Sequence, residues 1–344
     1  MATPELIKAP RPTRETLDWG RTLVEPALRS AVDGLPEAMR HIAGYHFGWW
    51  DERGRPTPGS AGKAVRPTLV ALAAAAAGGE PAAAVPAAAA VELVHNFSLL
   101  HDDVMDGDET RRHRPTAWRL FGVNAAILAG DSLLTLALDV LAASGHPAAN
   151  RGMRMLSAAV QDLIEGQCAD LSFERRATVG VAECEAMALG KTAALTGCAC
   201  ALGALFGGGT PEQVGRLRTF GDRVGLAYQH VDDLLGIWGD PAVTGKPVHS
   251  DLASRKKSLP VVAALAAGTD AAAELAALYG TTAPLTAAQL ARAAELVEKA
   301  GGRAWSQARA DGLAAEALAQ LGSTDHAPVA ELADLAKLLT HRAG

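Results

Sequence analysis

"AAAAVELVHNFSLLHDDVMDGDETRRHRPT", residues 87–116, runs from an apolar stretch straight into five acids and then a group of arginines. The apolar half has the alanine and leucine content of a buried helix. Asp102, Asp103 and Asp106 read D-D-x-x-D. Positions four apart on a helix share a face, with about 6 Å between Cβ atoms, so Asp102 and Asp106 point the same way. Like charges so placed repel, and acids near a helix C-terminus oppose its dipole. An arrangement that is unfavourable by itself points to a ligand. Magnesium fits, because it takes oxygen ligands, retains waters and bridges carboxylates to phosphate. The ordinary reading is a solvated helix end. A third, from the dipeptide His101-Asp102, is an HD-type phosphohydrolase, but no convincing set of further histidine ligands accompanies it.

The rest of the chain extends the helical reading. Of 344 residues, 49% are hydrophobic and only 4% aromatic, and β-branched runs are scarce. Such a composition favours helix and allows a sizeable core. Helical periodicity predicts helices around Leu23, Leu28 and Val32, and over 62–77, 85–105, 124–143, 151–171, 211–238, 254–267, 286–300 and 327–342. Turn-forming residues predict loops at 51–62, 106–116, 144–147, 206–211 and 239–250. There is no strand pattern and no fixed-period repeat. The expectation is an all-α, single-domain fold over 16–344, with a flexible Pro- and charge-rich tail at 1–15. The net charge of -6 argues against a nucleic-acid partner. Cys168, Cys184, Cys198 and Cys200 lack metal-site spacing and read as small buried residues of a reducing compartment. The first residues lack the apolar core of a secretory signal, and prolines, glycines or charges interrupt the alanine-rich stretches. No transmembrane segment is expected, and the predicted location is the cytoplasm.

A second acidic pair changes the reading of the first. In "GLAYQHVDDLLGIWGDPAVTGK", residues 225–246, Asp232 and Asp233 again end a long apolar stretch, and a cation, Lys246, follows in the loop. Two such helix ends suggest facing walls of one cavity, with magnesium holding a diphosphate between carboxylates and Lys or Arg neutralising its oxygens. The residue four after Asp232 is Gly236 rather than an acid, and the next acid is Asp240. The second wall therefore offers fewer carboxylates.

These segments together resemble the trans-isoprenyl diphosphate synthase (polyprenyl synthetase) family. The resemblance rests on "GKAVRP" (62–67), "HNFSLLHDDVMDGDETRRHRPT" (95–116), "GDSLL" (130–134), "KT" (191–192), "YQHVDDLLGIWGD" (228–240) and "GKPVHSDLASRKKSLP" (245–260). It implies a helical bundle around a central cavity, usually a homodimer, and a prenyltransferase joining isopentenyl diphosphate to dimethylallyl, geranyl or farnesyl diphosphate. It also implies magnesium, three ions with substrate bound, ligated by Asp102, Asp106 and Asp232, with Asp103 and Asp233 supporting the ions through water. Arg111, Lys191, Thr192, Gln229, Lys246 and Lys256 match residues that contact the allylic diphosphate or its metal shell. For Lys256 the flanking Arg255 and Lys257 leave the register open. Lys63, Arg66, His95 and Arg112 match residues for the diphosphate of isopentenyl diphosphate. Taken singly, each would be an ordinary surface cation or core histidine; the set carries the reading.

Product length follows from the helix bearing the first motif. Phe97 lies five residues before Asp102, about 7.5 Å along the axis, and Ser98 lies four before. One aromatic and one small residue there resemble type I geranylgeranyl diphosphate synthases, so C20 is expected, with farnesyl (C15) or longer products as neighbours. Two other functions compete. A class I terpene cyclase would carry N-D-x-x-S-x-x-x-E in place of the second motif and would lack the isopentenyl diphosphate cations. A non-catalytic subunit of a prenyl synthase complex would show eroded sites, and Gly236 alone leans that way.

Overall fold

The protein is described here from a computed structural model covering residues 10–57, 62–241 and 247–341. It divides into two compact units, one made of the chain up to Val160 with Cys198–Arg218 and Ser323–Asp334, the other of Gln161–Gly197, Thr219–Gly322 and the chain from Leu335. Both are helical, as expected.

In the first unit, α1 (Thr13–Asp33) and α2 (Glu37–Phe47) precede α3 (Val65–Ala76). Pro12 and Pro36 occupy the residues before α1 and α2, and Gly48 ends α2 in the left-handed conformation that favours glycine. α4 (Val85–Met105) follows a 3-10 turn at Pro81–Ala84 and packs on α1, α3 and α6 (Val123–Ala142). Its Ala87–Leu93 run is buried all round, because alanines let neighbouring helices approach closely. Between α4 and α6 lie α5 (Ala117–Phe121) and a two-strand hairpin, β1 (Thr110–Arg111) with β2 (Arg114–Pro115). Arg11 is tied to Glu331 through its backbone N–H at 2.9 Å and its guanidinium at 2.6 Å. That bond anchors the chain just before α1, inside the segment read as a tail.

α7 (Ala149–Glu174), α9 (Ala194–Phe206) and α10 (Pro211–Trp238) each cross a unit boundary, and α8 (Val181–Ala188) belongs to the second unit. There, Phe173, Met187, Leu226, Leu259, Val262 and Leu313 form one core cluster. A second cluster joins Ile237, Leu252, Val261, Leu275, Leu296 and Val297. These come from α10 and from the helices Ser250–Ala253, Leu259–Leu265, Asp270–Tyr279 and Ala287–Lys299.

Several expectations need correction. The helix expected over 254–267 is broken: Arg255 has φ 52°, and the helix starts only at Leu259, with Pro260 in its first turn. Cys168 is exposed, whereas Cys184, Cys198 and Cys200 are buried, and none of the four forms a disulfide. Among the described residues, three helical stretches, Pro81–Met105, Val123–Ala142 and Val181–Phe206, are long and apolar enough to cross a membrane by length and composition, even with interruptions such as Pro86, Glu92, Gly130 and Asp131 within them. The first and third are 72% and 78% buried within the protein, but the second is only 33% buried, so α6 shows a broad apolar face.

Candidate active site

The last turn of α4 carries the first acidic motif. The Asp106 N–H donates to the Asp102 carbonyl at 2.8 Å, so the helical turn persists and these two acids share a face, as their spacing predicts. Asp103 points elsewhere. It is 1% exposed, and Arg111 clamps it through Nε at 2.8 Å and Nη2 at 2.7 Å. Burial raises the Asp103 pKa, and the Arg111 bond works against that rise.

Arg111 is delivered by the hairpin. The two residues of its turn, Arg112 and His113, have φ 52° and 61°. Turns of this kind normally use Asn-Gly, so an Arg-His pair there stores strain. The surroundings hold it: Arg114 donates to the carbonyls of Tyr45 (3.1 Å) and Trp50 (2.9 Å), and Thr116 and Trp118 both donate to the Asp108 carbonyl. Arg114 thus fixes the hairpin that presents Arg111 and Arg112.

The other cations of this unit gather on α3 and α4. Lys63 is exposed just before Ala64, another left-handed residue (φ 51°). Arg66 Nη1 lies 3.3 Å from His95 Nε2. A guanidinium only donates, so Nε2 accepts and the ring proton is assigned to Nδ1. Burial, then Arg66 and Arg112, hold the His95 pKa well below the usual imidazole range, so His95 meets a ligand as a neutral donor. Phe97 is buried and packs edge-on against His101, whose Nε2 is 3.0 Å from the Ile127 carbonyl of α6. Phe97 is therefore turned toward α6. Ser98, one turn before Asp102 on its face, is buried with its hydroxyl donating back to the His95 carbonyl at 2.8 Å.

The second unit repeats the pattern. Asp232 is exposed, while Asp233 is 2% exposed. Asp233 accepts from Gln229 Nε2 (2.8 Å), from the Leu259 N–H (2.9 Å) and from Lys256 Nζ (3.4 Å). The bond to Leu259 caps the following helix. Gln229 Oε1 in turn accepts from Thr192 Oγ1 at 2.6 Å, so Thr192, Gln229, Asp233 and Lys256 form one chain of bonds. Burial opposes the charge of Lys256, but Asp233, Asp251, Asp170 and Asp232 outweigh it and hold its pKa well above the ordinary value. The register at this site follows: Arg255 bonds Thr281, Lys257 bonds the Phe173 carbonyl, and Lys256 alone of the three turns to the acids. Lys191 and Thr192 sit in a π-helical turn, Leu189–Ala193, a local widening often found at functional sites. Lys191 Nζ pairs with Asp170 at 2.6 Å.

Gly236 has a structural explanation. A Cβ there would lie 2.4 Å from Oδ2 of Asp251, so the Asp251 carboxylate fills the space a side chain would need. Asp251 also lies 3.8 Å from Lys256. Sequence reasoning missed Asp251, Asp170 and Arg114, which act as partners of the cations or of the hairpin. Lys246 lies outside the described residues. Among the described residues, no group of three or more His, Cys, Asp or Glu encloses a metal by itself. Accessible carboxylates of this kind suit a hard ion whose remaining oxygens come from diphosphate and water.

A profile of the polyprenyl synthetase family matches residues 52–297. A (2E,6E)-farnesyl diphosphate synthase of Mycobacterium tuberculosis is 48% identical, over 98% of this chain and 96% of its own. A geranylgeranyl diphosphate synthase of the same organism is also 48% identical, over 94% and 95%. Among solved structures, a polyprenyl synthetase from Streptomyces coelicolor superposes with a TM-score of 0.90 at 47% identity, covering 95% of this chain and 99% of that one.

Proposed function

As a member of the polyprenyl synthetase family, this chain is a prenyltransferase acting on isoprenyl diphosphates, and we propose that it adds isopentenyl diphosphate head-to-tail (1'-4) to allylic diphosphates and ends at geranylgeranyl diphosphate, C20. The proposal takes residues 16–344 as one synthase domain, working in the cytoplasm as a homodimer.

One repeated observation carries the reading. In each acidic pair, the second carboxylate is buried against a cation of the chain, Asp103 on Arg111 at 2.7 Å and Asp233 on Lys256 at 3.4 Å, while the first stays accessible. The buried acid positions a cation for diphosphate, and the accessible acid remains for metal. Asp102, Asp106 and Asp232 would hold the divalent metal used by the family, here proposed as three magnesium ions. When bound, it supplies Lewis-acid neutralisation of the leaving diphosphate. Arg111, Lys191, Thr192, Gln229, Lys246 and Lys256 bind that diphosphate, so charge released as the C–O bond breaks meets fixed donors. Lys63, Arg66, neutral His95 and Arg112 hold isopentenyl diphosphate so that its alkene attacks the allylic carbon. The departing diphosphate is the acceptor for the proton then lost.

Chain length rests on α4. In this reading the bulky Phe97, five residues before Asp102, floors the pocket, and the small Ser98 on the face of Asp102 leaves it open down to that depth, which supports a pocket deeper than C15 requires. A C15 product is the second reading, favoured by the name of the M. tuberculosis farnesyl diphosphate synthase. The test is incubation with magnesium, labelled isopentenyl diphosphate and dimethylallyl, geranyl or farnesyl diphosphate in turn, with products separated by length. Farnesyl diphosphate is expected to be extended by one unit and then released. Absence of elongation with every primer would refute the synthase reading. Asp102→Ala is expected to cut turnover by about 10³, on the order of 4 kcal/mol in the barrier, with an unchanged melting temperature. Near-normal turnover in that variant would overturn the metal assignment.

A further inference from the structure

Glu92 is a charged residue of the first unit with no role in the chemistry above. It lies on α4, one turn before His95, and is only 5% exposed. Its Oε1 accepts from Asn96 Nδ2 at 3.0 Å, and the same amide donates to the Glu92 carbonyl at 2.8 Å. The carboxylate is thus held in one orientation. Charged and titratable groups reach this region from α1, α2, α3 and the hairpin. Arg21 and Glu25 of α1 line a small cavity together with Glu92. Gly62 lines the same cavity, and the Arg112 guanidinium of the hairpin lies against it, 2.8 Å from where a Cβ on Gly62 would sit. Arg66 comes from α3, and through space both arginines favour the ionised Glu92. His46 of α2 and His95 of α4 are held neutral, by burial first and then by the arginines. Against the arginines, burial pushes the Glu92 pKa up to about 7.

The cations assigned to isopentenyl diphosphate therefore come with a buried counter-charge. We propose that the diphosphate of isopentenyl diphosphate, on binding Arg66 and Arg112, takes over the charge compensation these arginines give the buried Glu92, so that binding converts Glu92 from carboxylate to carboxylic acid. The inference rests on the assignment of those arginines to isopentenyl diphosphate. A buried carboxylate is tolerated only while cations compensate it. A diphosphate claims the same guanidinium groups and adds its own negative charge, so the ionised form loses its support. One O–H bond forms on the Glu92 carboxylate, the proton comes from solvent, and no other bond changes. Protonated Glu92 is then a positioning residue: it stops repelling the substrate and still accepts from Asn96.

The test is calorimetric titration of the full-length protein with isopentenyl diphosphate alone, without magnesium, in two buffers of different ionisation heat. The wild type is expected to take up about half a proton or more beyond the count for Glu92→Gln near pH 7. Above that pH its affinity should fall relative to the variant, by up to about tenfold per unit. In steady state, the wild-type KM for isopentenyl diphosphate should rise with pH relative to Glu92→Gln while the kcat ratio stays constant. A purely packing role would not move the proton count. Should Glu92→Gln not fold, infrared difference spectra of the wild type are expected to gain a protonated-carboxyl band on adding isopentenyl diphosphate. Equal proton counts, or no such band, would overturn the proposal. Unchanged affinity in Arg112→Ala would overturn the site assignment and this inference together, whereas the proton count tests Glu92 alone.

Discussion

Gly236 shows how one residue can mislead when read alone. In sequence it is a missing acid; in the fold it is the space into which the Asp251 carboxylate fits. Gly236→Asp would force a side chain to within 2.4 Å of that carboxylate and add a like charge beside it. The variant is expected to lose roughly 1–3 kcal/mol of stability, read as a lower melting temperature. Asp251→Gly in the same background should recover most of the loss. If Gly236→Asp melts like the parent protein, the close approach is not a constraint. The same residue scale separates the two members of each Asp-Asp pair. Adjacent residues on a helix point about 100° apart, so one acid of a pair can be buried against a cation while its neighbour stays accessible.

At the scale of elements, α4 and the hairpin after it set out most of the first unit's site. α4 aligns Ser98 with Asp102 and turns Phe97 toward α6, so product length is a property of a helix face. Phe97→Ala is expected to lengthen the product beyond C20, measured by chromatography of the extracted prenyl alcohols; an unchanged C20 would place the floor elsewhere. The motifs of α4 and α10 were legible because acids at fixed spacing on apolar helices have no ordinary explanation. Their partners were not. Asp170 is far in sequence from Lys191, and Glu92 reads as one more polar residue in a helical pattern. The helices Glu37–Phe47, Asp270–Tyr279 and Gly302–Leu321 were also missed, and so was the region of α8 and α9. Cys198–Phe206 is almost uniformly buried, so it lacks the apolar–polar alternation on which periodicity depends. The break at Arg255 was invisible because nothing in "DLASRKKS" forbids helix; the Leu259 N–H bonding Asp233 decides it.

For the molecule as a whole, α6 leaves an apolar face uncovered within the chain. Val123, Ile127 and Leu128 are 44%, 36% and 55% exposed, and Leu120 of α5 adds to the same region. A homodimer is the proposed occupant, since an apolar face of this kind is costly to leave in water. Leu128→Asp is expected to shift the sedimentation coefficient from dimer to monomer; a variant that remains dimeric would move the interface elsewhere.

Among the described residues, the non-glycine residues with positive φ, Ala64, Arg112, His113, His249 and Arg255, lead to a last consequence. Ala64, Arg112 and Arg255 are each a proposed diphosphate-binding cation or the immediate chain neighbour of one. A protein engineer seeking heat resistance would choose them first, because glycine or asparagine relaxes such backbone at little steric cost. Those replacements would make a sturdier scaffold, but at Arg112 the substitution would also delete the cation. Thermostability and substrate affinity are then opposed at that position, and a screen for hardiness alone would select against the enzyme's own function.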